Sequence, residues 1–187
     1  MELLDLWLPA LLSAVFVFLA SSVIHMALPI HKSDSLKLPD EAKVLDAMRS
    51  ARLAPGQYMF PRPTSMKDMG SPEMLERFRQ GPVGSLIVIP NGAPAIGRSL
   101  VQWFLFSIAI SVFVAYAGAL CLPAGTAGMT VFRVASSIAL LGYGVSHVQD
   151  SIWKGLSWRV SLKFVFDGLI YALVTGLTFA WLWPAAA

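Results

Sequence analysis

Five polar side chains stand near the ends of long apolar runs, where they are best placed to do chemistry: His25, Gln102, His147, Asp150 and Asp167. His25 closes the first run and Gln102 opens the second. His147 and Asp150, spaced i,i+3 and so on one helical face, close the third, and Asp167 lies in the second turn of the fourth. Ionisable groups at membrane depth are costly enough to be functional candidates by default. Imidazole and carboxylate together suit a divalent metal, and His25 with His147, the two histidines inside the runs, could ligate one haem iron. Asp167, Tyr171, Thr175 and Thr178 recur at three- and four-residue steps and could line a proton or solute path.

Plainer readings explain the same residues. Asp167 can pair with Lys163 one turn earlier or with His147, while Tyr and Thr in membrane helices commonly bond neighbouring backbones. The five residues are therefore a candidate polar site, and neither a metal nor a cofactor is expected to reside there. The chain shows no Ser/His/Asp spacing, no H-E-x-x-H and no paired carboxylates within the runs, so no enzyme activity is expected. Cys121 is the only cysteine, which excludes internal disulfides and four-cysteine zinc sites. The string GAPAIGRS (Gly92 to Ser99) imitates a phosphate-binding loop, but it places Arg98 where the Lys should stand, contains Pro94 and leads into an apolar run.

The elements that must position these groups follow from composition. Of 187 residues, 56% are hydrophobic and 13% charged, against about 25% charged in ordinary soluble domains. No charged residue occurs from Leu6 to Leu28, a stretch that as a helix reaches about 34 Å and so crosses a hydrocarbon core of about 30 Å. Spans at about 100–122, 128–148 and 161–183 complete a four-helix, all-α integral membrane bundle. Residues 1–29 thus form the first helix, residues 30–99 an intervening cap and residues 100–187 the remaining three helices.

The cap holds ten of the fourteen Lys and Arg, eight of the twelve prolines and six of the fourteen glycines. The positive-inside rule then places it in the cytoplasm and both termini outside. Its elements read as a small α+β segment: a helix in LPDEAKVLDAMRSA with Pro39 in the first turn, a second in SPEMLERFRQG capped by Ser71, and a strand SLIVIP pairing with QYMF (Gln57 to Phe60). A net charge of +3 on the cap suits anionic lipid, and without a dense basic stripe nucleic acid is not expected as a partner. Gly168, Ala172, Gly176 and Ala180 form an unbroken small-residue ladder for helix packing. Stripes at Ser107, Ser111, Ala115 and Ala119, and at Ser13, Val17, Ser21 and His25, are expected to meet it or to serve a homodimer.

Through GPVGSLIVIP, HVQDSIWKG and LVQWFLF the chain resembles a family of small, uncharacterised bacterial inner-membrane proteins. The resemblance implies that location and no activity. The expected function is a non-enzymatic accessory or scaffold component of a membrane assembly, with the lipid bilayer and protein partners as its contacts. The alternatives are a small transporter or channel using the polar site, and a haem- or quinone-linked redox protein.

Overall fold

The computed structural model describes residues 1–186. It is mostly helical, with four helices long and apolar enough to cross a membrane and one small two-stranded sheet. The chain divides into two compact units, one made of residues 1–35 and 95–186 and the other of residues 36–94. The boundary after residue 35 lies later than the hydropathy pattern suggests, because the residues after Leu28 fold back onto the first helix.

The first long helix runs Leu3–Ala27 and contains α1 (Trp7–Ser22), a tight 3₁₀ turn before it and a wide π-helical turn, Val23–Ala27, after it. The second is α5 (Ile96–Cys121). The third, Gly128–Lys154, comprises α6 (Gly128–Leu140), a second wide turn (Leu141–Val145) and α7 (His147–Lys154), and so extends past the expected end at Val148. The fourth is α8 (Trp158–Trp181). α1 packs on α5 and α8, and α6 packs on α5 and α8, which closes a ring of four neighbours.

The interior is built from small and branched side chains: Ala14, Val17, Val114, Val131, Ala139 and Phe179 are fully buried or nearly so. Several polar groups inside the ring are satisfied locally, as burial without water demands. The Ser13 hydroxyl donates to Ser111 Oγ at 2.8 Å, Trp103 Nε1 to Ser21 Oγ at 2.8 Å, and the Tyr143 hydroxyl to the Ser107 carbonyl at 3.3 Å. The serine stripes of α1 and α5 therefore meet each other. The glycine ladder of α8 meets the third helix instead: Gly168 lies against Gly144, and Gly176 against Phe132 and Ser136.

The second unit contains α2 (Glu41–Ser50), β1 (Gly56–Phe60), α3 (Met66–Met69), α4 (Pro72–Gln80) and β2 (Gly84–Val88). β1 and β2 are antiparallel with Tyr58 opposite Leu86. Ser71 accepts from Met74 N, Pro72 occupies the first turn of α4, and Gly81 ends it at φ +59°, a conformation that favours glycine. Pro39 differs from expectation: it precedes the N-cap residue Asp40 and so lies outside the first turn of α2. α3 has no counterpart in the sequence reading; Ser65 caps it, and Asp68 accepts from the backbone and hydroxyl of Thr64. Those Thr64 bonds hold the Asp68 carboxyl below the usual carboxylate range.

Of the glycines, Gly168 has the tightest surroundings: an added Cβ would fall 2.7 Å from Gly144 N and 2.8 Å from the Tyr143 carbonyl carbon. Both obstacles are backbone and cannot step aside. Gly168→Ala should therefore destabilise the protein by about 1–3 kcal/mol, whereas Gly97→Ala, which meets nothing within 4 Å, should be neutral or slightly stabilising. Thermal unfolding of both variants in mild detergent checks the contrast.

Candidate functional site

The site is assembled by the way the first long helix ends. Leu28 precedes Pro29, and a residue before proline is pushed out of the helical region; here Leu28 is extended at ψ 143°. Pro29 then opens a short 3₁₀ turn, Pro29–His31, whose end is fixed by Lys32 N and Asp34 N bonding to the carbonyls of Pro29 and His31. This reversal lays the His31 ring on the His25 ring, with centroids 4.4 Å apart.

Lys163, one turn before Asp167 on α8, holds the reversal in place. Its ammonium group spends its three donors on the Ile30 carbonyl at 2.6 Å, on Ser33 Oγ at 3.2 Å and on the Asp34 carboxylate. That bond keeps the Asp34 carboxyl below the usual carboxylate range, with a smaller contribution from His31 in the same direction. The other Asp34 oxygen accepts from His31 Nδ1 at 2.6 Å. A carboxylate only accepts, so Nδ1 of His31 carries a proton, and Nε2, its other ring nitrogen, faces the interior.

Asp167 waits there, with 2% of its side chain exposed. Its Oδ2 lies 2.9 Å from His31 Nε2 and 3.8 Å from His25 Nε2. The 2.9 Å contact is not aligned as a hydrogen bond: neither oxygen of Asp167 has a hydrogen-bond partner, nor does His31 Nε2. The Tyr171 hydroxyl, one turn further along α8, is 3.3 Å from His25 Nε2. One ligand atom from each of His25, His31 and Asp167 lies within 4.8 Å of the others. Phe164 borders the cluster and lies near all three imidazoles, at 5.2 Å from His31, 6.2 Å from His25 and 5.1 Å from His147.

Of the five residues picked out by sequence, the structure brings together His25 and Asp167. His147 and Asp150 form a separate pair at 3.8 Å, with Asp150 also bonded to Lys154 at 2.6 Å. Gln102 is exposed in the second turn of α5, which begins earlier than expected, at Ile96. The expected partners of Asp167 are corrected as well: Lys163 is committed to Asp34, and His31 takes the place proposed for it or for His147. His31 and Asp34 were missed because the apolar run stops at Leu28. The available signal was the proline at residue 29 with HKSD two residues later, since a pre-proline break can return a chain to the helix it leaves. The polar stripe on α8 is largely spent on its own backbone, with Thr175 Oγ1 donating to the Tyr171 carbonyl and Thr178 Oγ1 to that of Val174.

No protein-family model matches the chain, no curated protein matches it in sequence, and no solved structure matches it in fold. The geometry alone carries the functional argument.

Lys163 and Asp34 are both mostly shielded, with 18% and 14% of their side chains exposed. Removing one partner strands the other, whereas removing both does not. Lys163→Met should cost about 1–3 kcal/mol, and adding Asp34→Asn to it should recover part of that loss, as read by a double-mutant cycle on thermal unfolding.

Proposed function

We propose that the chain is a multi-pass integral protein of the bacterial inner membrane, with both termini outside and residues 30–99 in the cytoplasm, and that it acts without catalysis as an accessory or scaffold component of a membrane assembly. The observation that carries this reading is the surface of the second unit. Pro61 and Met74 are its only fully buried residues. Meanwhile Met59, Met66, Ile87 and Ile89 are 60%, 82%, 68% and 71% exposed. A soluble unit of this size does not leave that much apolar side chain in water; a partner surface would cover it. The bundle supports the same reading, because its interior serines and threonines are bonded within the bundle instead of being left along a solute path.

A photo-crosslinking residue placed at Ile87 or Met66, and activated in intact cells, should give a discrete protein adduct of constant mass. Adducts with lipid alone would overturn the accessory role. Cysteine accessibility at the termini and in residues 36–94 tests the orientation in the same preparation.

One observation favours a second reading, the transporter or channel. A fully buried Asp167 with no hydrogen bond to either oxygen is what a cation-handling group looks like. On that reading Asp167→Asn abolishes proton flux in liposomes loaded with a pH-sensitive dye; on the accessory reading flux is absent before and after. The redox alternative draws on His25 and His147, whose closest ring neighbours are different: His31 for one and Phe164 for the other.

A further inference from the structure

We propose that His25, His31 and Asp167 form a binding site for one first-row divalent transition-metal ion, Zn²⁺ before the others, with a fourth position open to water or a passing ligand. This goes beyond the accessory role and stands independently of whether a partner is found.

Three observations converge. The first is distance: ligands on one tetrahedral zinc, each about 2.0–2.2 Å from the ion, sit about 3.3 Å from one another. Asp167 Oδ2 stands 2.9 Å from His31 Nε2 and 3.8 Å from His25 Nε2, on either side of that value, and the three ligand atoms all lie within 4.8 Å of one another, close enough to draw in on an ion.

The second is orientation. His31 Nε2 and both Asp167 oxygens are buried without a hydrogen bond although two of these atoms are 2.9 Å apart. Two donor atoms that share an ion face the ion and not each other, so a close but misaligned pair of this kind is the expected arrangement.

The third is support behind the ligand. His31 donates its Nδ1 proton to Asp34, and Lys163 holds Asp34. A carboxylate on the far nitrogen is the arrangement that orients a metal-bound imidazole and raises its basicity.

The donor set selects the class of ion. Two imidazoles and one carboxylate suit Zn²⁺ and its first-row neighbours, whereas Mg²⁺ and Ca²⁺ ask for oxygen shells. Three protein ligands leave one position free, and the His25 side chain is 39% exposed. The site is therefore not closed over by the protein, unlike a four-ligand structural zinc. The Tyr171 hydroxyl, 3.3 Å from His25 Nε2, is the one competing contact and is released to the bound water when the ion enters.

The test uses the full chain in mild detergent, stripped with EDTA and titrated with Co²⁺, whose tetrahedral complexes absorb visibly. Intense ligand-field bands saturating at one ion per chain, and bleached by Zn²⁺, are expected. His31→Gln and Asp167→Asn should each lose them, while His147→Gln should keep them. An absence of bands, or bands unchanged in both His31→Gln and Asp167→Asn, overturns the site. If either variant fails to fold, X-ray absorption of the unmodified Zn²⁺-loaded protein decides: two imidazoles with oxygen neighbours support the assignment, and a sulfur-containing or all-oxygen shell refutes it.

Discussion

A single buried carboxylate, Asp167, constrains the end of this helical bundle. A charge removed from water costs several kcal/mol unless its surroundings answer it. Here the groups that face it come from outside α8: two histidines carried by the end of the first long helix and the turn that follows it, with no hydrogen bond to either oxygen. The turn exists because Pro29 stops the helix, and it stays because Lys163 grips residues 30, 33 and 34. Sequence-distant segments are thus brought together along one run of polar groups: Lys163, Asp34, His31, Asp167.

The helices around this chain are shaped to allow it. Gly168, next to Asp167, lets the backbone of Gly144 come into contact, and Gly144 sits in a wide turn of the third helix. The first helix also opens into a wide turn, at Val23–Ala27, and that turn carries His25. π-Helical turns interrupt regular hydrogen bonding and are found disproportionately at functional sites. Of the two in this bundle, one carries His25 and the other lies against Gly168, the neighbour of Asp167.

Much of this architecture is legible in the sequence. Apolar runs of about twenty residues, the first two without a charge, announce the four helices, and Ser71, Pro72 and Gly81 announce the start and stop of α4, because hydrocarbon thickness and capping chemistry act locally. Half of the cluster is legible as well, since an Asp in an apolar helix stands out wherever its partner lies. The other half is not. His31 and Asp34 occupy a polar stretch that hydropathy assigns to the cap, and only the three-dimensional return of the chain brings them to Asp167. The ladder on α8 shows the same limit: its spacing says that another helix packs closely there, but Gly144 and Ser136, not the serine stripes, are what it meets. Pairings between helices depend on the whole set of neighbours, and periodicity within one helix carries no record of them.

The most direct test of this arrangement is the tautomer of His31, read by ¹⁵N NMR of histidine-labelled, metal-free protein in mildly alkaline detergent solution. A proton on Nδ1 and a bare Nε2 are expected, because Asp34 accepts from one ring nitrogen and the other faces Asp167 without a hydrogen bond. A ring protonated on Nε2 would contradict it, since the lone pair on which the site depends would not be there.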